Sequence, residues 1–204
     1  PRRLPTQPRG ERRVERLLDA AAFVIARDGY DAATMSAIAE RAGASIGSLY
    51  QFFPNKLSIA QALRARYGSE FAELCVPLAS AAKSLNPNEM AGHLIDLICQ
   101  FAKHHPAFAA LLDAPQSARS PAAIRQVLRE RLAALFEARR PRISKSEAIH
   151  MAAVTLQIMK AFSRFYASQD RRERRWCARE FKLVLQHYLE ARLQPRRNSI
   201  KGAF

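Results

Sequence analysis

Apolar residues recur along this chain at three- and four-residue spacing, the period of a helix with one inward face, and no stretch alternates in the manner of a strand. Val14, Leu17, Leu18, Ala21, Ala22 and Ile25 form the first stripe, predicting a helix from near Glu11 to Gly29, a natural C-terminal cap. Two short amphipathic runs follow Thr34 and Ser45, each able to cap a helix by accepting a bond from a free first-turn N–H. Asn55 opens a long helix toward Ala82, which Pro77 should kink or split because proline lacks a donor and crowds the preceding turn. Asn86-Pro87-Asn88-Glu89 combines a cap, a first-turn proline and a capping-box acid, so a helix should run from Pro87 and stop before Pro106. Ser120-Pro121 opens another to about Arg139, and Ser144 to Glu147 spells a full capping box for the next. From Ala148 to Phe162 that helix is apolar on nearly all sides, which calls for burial against two bodies at once. After Asp170 a last helix places Cys177, Phe181, Val184, Leu185, Tyr188 and Leu189 on one stripe. The fold class is all-α.

Between the two short runs sits Gly43, where a left-handed backbone lets one helix stop and the next leave steeply, as in a helix-turn-helix. In the second run Ile46, Leu49 and Phe53 fall at helical spacing as inward anchors. Ser45, Gly47, Ser48 and Gln51 then face outward, with Phe52 either packing on a deoxyribose or covering the core. A helix of this kind fits a DNA major groove.

Thr34, Ile38, Ala39, Ala42, Gly43, Ser45, Gly47, Leu49, Tyr50, Phe52, Phe53 and Lys56 match, in order and spacing, the DNA-binding pattern of the TetR (tetracycline-repressor-like) family of bacterial regulators, which this stretch resembles. Met35, Ala44 and Leu57 depart mildly from it, away from the expected DNA face. The similarity covers about residues 10 to 66. It implies an N-terminal three-helix helix-turn-helix domain at 11–54 and a C-terminal helical effector-binding and dimerisation domain at 55–194. A basic flexible arm at 1–10 and a loose tail at 195–204 flank them. Polar residues at the start of a recognition helix read bases while neighbouring donors grip phosphates. Ser45, Ser48 and Gln51 are therefore the base-edge candidates. Gly47 permits close backbone approach, and the resemblance implies Thr34, Tyr50 and Lys56 as phosphate contacts. Arg2, Arg3 and Arg9 of the arm are candidates for the minor groove.

Formal charge is +15, and it is not confined to the head: residues 1–66 carry 11 Lys+Arg against 6 Asp+Glu, residues 67–204 carry 22 against 12. Such a balance draws polyanions, although solvated helix faces explain the Arg runs equally well. Three widely spaced cysteines and the absence of ligand-spaced His or Cys argue against a disulfide or metal framework. His93, His104 and His105 have no carboxylate or thiol at ligand spacing, and no nucleophile elbow or phosphate loop occurs, so no catalytic residue, metal or cofactor is assigned. Asp19 interrupts the apolar run from Leu17 to Ala26 and no segment is long enough to span a bilayer, so a cytoplasmic protein with no membrane partner is expected.

The function expected is that of a repressor, not an enzyme, bound as a homodimer to a palindromic double-stranded DNA operator and released by a small-molecule effector. The alternative is an effector-free basic DNA-binding protein of nucleoid or constitutive type. His93, Leu97 and Phe101 on one face, with Cys99 and His104 nearby, and Met151, Thr155, Phe162 and Tyr166 on another, are the candidate effector walls, to which Phe108 adds a further apolar ring. They predict a mostly apolar ligand, to which the charge outside the head adds an anionic end. Ala152, Phe181, Val184, Leu185 and Tyr188 are the candidate dimer interface, built from the last two long helices of each chain.

Overall fold

The computed structural model describes residues 8–115 and 122–193. The first seven residues with Arg2 and Arg3, the Ser120-Pro121 cap and the 195–204 tail lie outside the described residues. Ten helices occur among those described: α1 (Pro8–Ala32), α2 (Met35–Arg41), α3 (Ile46–Phe52), α4 (Lys56–Leu74), α5 (Val76–Ala81), α6 (Pro87–His104), α7 (Phe108–Asp113), α8 (Ala122–Arg139), α9 (Lys145–Ser168) and α10 (Arg171–Leu193).

α1 starts at Pro8, earlier than the expected Glu11, so Arg9 belongs to a helix and not to an arm. Helical geometry is interrupted at Gly29, whose φ of 80° is the left-handed turn the sequence calls for. Val14, Leu17, Leu18, Ala21, Val24 and Ile25 are buried from this helix, and Ile38, Ala39, Leu49 and Phe53 close the small core from α2 and α3. Thr34 Oγ1 accepts from Ala37 N at 3.1 Å and Ser45 Oγ from Ser48 N at 3.2 Å. Each cap of this kind stabilises its helix by about 1 kcal/mol. Gly43 takes φ 60° in the turn between them.

Asn55 and Ser58 form a reciprocal capping box for α4. The long helix breaks at Cys75, and Pro77 sits in the first turn of α5, where its missing donor costs nothing. Asn86 and Glu89 complete the box expected for α6. Ser144 caps α9 as foreseen, but only half of that box forms: the Glu147 carboxylate lies 3.3 Å from Arg140 Nη1 instead of returning to its own cap. Asp170 Oδ1 accepts from Arg172 N and Glu173 N, and these two bonds hold its carboxyl below the usual range.

The body is a helical bundle in which α10 packs on α6 and α9, and α9 on α8, α6 and α7. Two elements tie it to the head. Arg66 of α4 reaches Asp19 at 2.7 Å and Glu15 at 3.1 Å on α1. The short helix α7, which hydrophobic periodicity did not reveal, packs on α1, α4 and α9. Among the described residues no helix is long and apolar enough to cross a membrane.

Candidate nucleic-acid interface and internal cavity

α3 is held from beneath by Leu49 and Phe53, both wholly buried, so its orientation is fixed by core packing. Ile46, expected as a third anchor, is instead 41% exposed. It occupies the first helical position, beyond the edge of the small core that Leu49 and Phe53 fill. Ser45, Gly47 and Gln51 are exposed and Ser48 half-exposed; together with Phe52 and Arg13 of α1 they line one cleft. Phe52 is partly buried and packed against the core, which assigns it chiefly to covering that core. A Cβ at Gly47 would meet nothing within 4 Å, so the chain itself does not require glycine there. Tyr50 is 50% exposed, and Thr34 is exposed with its hydroxyl proton still free after capping.

Lys56 departs from its expected role. Its Nζ donates to the carbonyls of Tyr30 and Asp31 at 2.7 Å each and lies 4.7 Å from the centre of the Tyr30 ring. Two of its three protons therefore close the end of α1, which leaves one for a phosphate. Arg9, expected in the arm, stands on α1 with three cations to which the sequence assigned no role, Arg12, Arg13 and Arg16. Arg9, Arg12, Arg13 and Arg16 of α1 surround a cleft completed by Ala42, Gly43 and Ala44, and Arg16 Nη2 pins the helix to the turn through Ala42 O at 3.1 Å. Arg13 borders both this cleft and the one on the outer face of α3. The sequence gives Arg12, Arg13 and Arg16 no role of their own; the fold sets them beside the turn that leads into the recognition helix.

The body contains a cavity of 240 Å³, half open to solvent, between α4, α6, α7, α8 and α9. Its apolar walls include Tyr67, Phe71, Ile98, Phe108, Leu111, Leu128 and Leu156. Of the expected wall residues only Phe108 reaches it. His93 is exposed on the surface and Leu97 half-buried on α6, both away from the cavity. Phe101 packs edge-on to Tyr67, Phe71 and Phe108 behind the wall. Met151, Thr155 and Phe162 are core residues, and Tyr166, half-buried, stacks on Phe162 at 5.2 Å. The reason is a rotation of about one residue: Met151, Thr155 and Phe162 share the stripe that the bundle packs, whereas Ala153, Leu156, Gln157 and Lys160 share the one that faces the hollow. That second stripe carries Gln157 and Lys160, which the expectation of a helix apolar on nearly all sides left out.

The cavity touches the linkage to the head directly. α4 runs unbroken from Lys56 through Arg64, Tyr67, Gly68 and Phe71 in the cavity wall, so the break before Pro77 lies beyond it and is no flexing point between cavity and DNA. Arg64 Nε and Nη2 donate to Leu111 O at 2.9 and 2.6 Å, Nη2 also to Ala114 O, and Nη1 to Pro115 O at 3.0 Å, so one guanidinium caps α7. Burial pushes the pKa of this guanidinium down. Arg164 of α9 holds the same helix through Leu112 O at 3.0 Å.

At the far side, Val154 and Phe165 of α9 and Trp176, Leu183 and Val184 of α10 are large apolar residues between 41% and 54% exposed. Of the expected interface set Val184 is here, while Phe181 and Tyr188 are half-buried. Ala152 and Leu185 are wholly buried within the protomer, which corrects their assignment to an interface. Adjacent positions on a helix differ by about 100°, so Val184 faces out while Leu185 packs with the α6-facing stripe.

Two sequence profiles match the chain: that of "Bacterial regulatory proteins, tetR family" over residues 17–63, and that of "Tetracyclin repressor-like, C-terminal domain" over residues 87–189. The chain is 40% identical over 68 residues to the HTH-type transcriptional repressor KstR of Mycolicibacterium smegmatis, a stretch covering 33% of this chain and 31% of that protein. With KstR of Rhodococcus jostii it shares 40% over 63 residues, 31% of this chain and 29% of that one. The chain thus spans less than a third of the length of these curated relatives. A TetR-family transcriptional regulator from Streptomyces coelicolor superposes with a TM-score of 0.62 at 24% identity, covering 89% of this chain and 99% of that one. FadR from Bacillus subtilis, solved in complex with stearoyl-CoA, gives 0.61 at 14% identity, covering 88% and 99%. At these identities the likeness is one of fold.

Proposed function

Because the chain belongs to the TetR family of bacterial regulatory proteins, we propose that it is a homodimeric transcriptional repressor, acting in the cytoplasm, that grips a palindromic DNA operator and lets go when a small, mostly apolar molecule fills the cavity of its body. The observation that carries this reading is one helix, α4, which begins against the recognition unit and forms part of the cavity wall. An effector-free DNA-binding protein needs no hollow there, and a hollow lined by apolar side chains favours the ligand-responsive form.

In this account Ser45, Ser48 and Gln51 read base edges, and Gly47 lets the backbone approach. Thr34, Tyr50 and the α1 arginines fix the head on phosphates, with Lys56 contributing its remaining proton. Val154, Phe165, Trp176, Leu183 and Val184 meet the same residues of a second copy, giving a two-fold four-helix contact. Two heads related by that axis address half-sites about 34 Å apart or a little more. A ligand releases DNA only by preferring the conformation whose heads are wrongly spaced, and a difference of a few kcal/mol suffices. α7 is the element that would move: it lines the cavity with Phe108, Leu111 and Leu112 and rests on α1. The test is base discrimination. Gln51→Ala should relax preference at one base position of the bound site by roughly 1 to 3 kcal/mol while binding to unrelated DNA stays constant. Uniform weakening on every sequence would remove Gln51 from base reading.

A further inference from the structure

The polar groups of the cavity wall are one-sided. Among the described residues no Asp or Glu lines it, whereas Arg64, Arg125, Arg129 and Lys160 do. Arg64 is spent on the carbonyls that end α7, and the Ser163 hydroxyl is spent on Met159 O at 2.8 Å. Arg125, Arg129 and Lys160 have no carboxylate partner among the described residues, although their neighbour Arg131 finds Glu73 at 3.7 Å. Arg125 and Arg129 stand four residues apart on α8, a like-charge spacing that weakens a helix by itself. Their ammonium and guanidinium groups are donors with no acceptor of their own. The inner wall, by contrast, offers rings and aliphatic side chains. A 240 Å³ cavity equals about eight water-sized volumes of ~30 Å³.

We propose that the effector is a single-tailed amphipathic anion whose apolar body, about eight non-hydrogen atoms long, fills the cavity while Arg125, Arg129 and Lys160 hold its acidic head at the mouth. This rests on the effector reading above and deepens it. The head neutralises a repulsive arginine pair and accepts the bonds the wall offers. The body replaces water against apolar side chains. A neutral molecule of the same shape gains only the second part, and a cation adds to the repulsion.

The experiment is calorimetric titration of the protein, without DNA, with four eight-carbon probes: octanoate, octyl phosphate, octanol and octylamine. At least one anion is expected to bind ten-fold or more tighter than octanol, with octylamine weakest, and only the anions should weaken as salt rises. Octanoate against octyl phosphate decides whether the head is carboxylate or phosphate. The variant R125Q/R129Q/K160Q should lose ten-fold or more for the favoured anion and leave octanol unchanged. These three lie at the rim and two of them repel each other, so its unfolding midpoint should equal or slightly exceed the parent's. Ala153→Phe, which fills the hollow and leaves the cations, should abolish binding of all four. Octanol or octylamine binding as tightly as both anions overturns the charge assignment and leaves an apolar effector standing. Equal anion binding by the triple variant, or anion binding surviving Ala153→Phe, overturns the site. If no probe binds, both this proposal and the effector reading fall.

Discussion

Replacing Arg64 by methionine keeps most of the side-chain stem and removes the donors that end α7. In the parent the guanidinium serves three carbonyls, those of Leu111 and Ala114 partly buried and that of Pro115 exposed. Water can replace the bond to Pro115, whereas the partly buried carbonyls lose charged donors whose bonds are worth about 1.5 to 3 kcal/mol each. Against that stands the cost of keeping the guanidinium charged where burial lowers its pKa. The net loss should be about 2 to 3 kcal/mol, which for a chain of this length lowers the unfolding midpoint by about 4 to 12 °C at fixed protein concentration. Amide hydrogen exchange should quicken across Phe108–Asp113 before it does elsewhere, because only that helix loses its anchor. Arg64→Lys should recover a minor part, since one ammonium cannot fork across carbonyls that a planar guanidinium spans. A midpoint within a degree of the parent, with unchanged exchange in α7, would refute the claim that Arg64 holds this helix to α4.

Arg13→Ala should weaken binding to all DNA sequences alike and lower the salt slope by about one, whereas Lys56→Met should destabilise the head by about 1 to 3 kcal/mol with a smaller change in that slope. Fluorescence anisotropy in a salt series, paired with thermal unfolding, separates the two. L183E/V184E should sediment as a monomer that binds DNA poorly, and a variant that stays dimeric would place the interface elsewhere. Burial holds the His105 imidazole below its ordinary 6.5, against the opposing pull of Glu70 at 3.3 Å and with Arg66 and His104 adding to the lowering. The unfolded chain therefore takes up this proton first as pH falls, so the contribution is present above about pH 6.5 and is lost below it. His105→Gln should flatten that part of the stability profile in urea titrations at pH 5 to 7.5.

Much of the head was legible because its signals are local. Thr34, Ser45 and Asn55 are caps that act within one turn, and Gly43 carries a backbone requirement that few other residues meet. Where the reading failed, the deciding fact was long-range. Lys56 looks like a free cation at a helix start until the end of α1 arrives 26 residues away in sequence to take its protons. Arg9 reads as part of a basic arm, and Arg12, Arg13 and Arg16 have no assigned role, until the α2–α3 turn is placed beside them. In the body, Met151, Thr155 and Phe162 share the stripe of α9 that packs into the core, polar Thr155 included, while Gln157 and Lys160 are left on the hollow. The same one-residue rotation separates Leu185 from Val184. α7 is six residues long, too short for its periodicity to register, and only its contacts mark it as the joint between cavity and head.

A two-fold, base-reading repressor leaves its symmetry on the DNA itself. Repeated selection of bound duplexes from a random pool by the protein should recover an inverted repeat whose half-site centres lie about one helical turn apart or a little more, two protein chains bound per duplex. Recovery of no preferred sequence, or of a single half-site without its mirror image, would contradict a two-fold repressor with a base-reading α3.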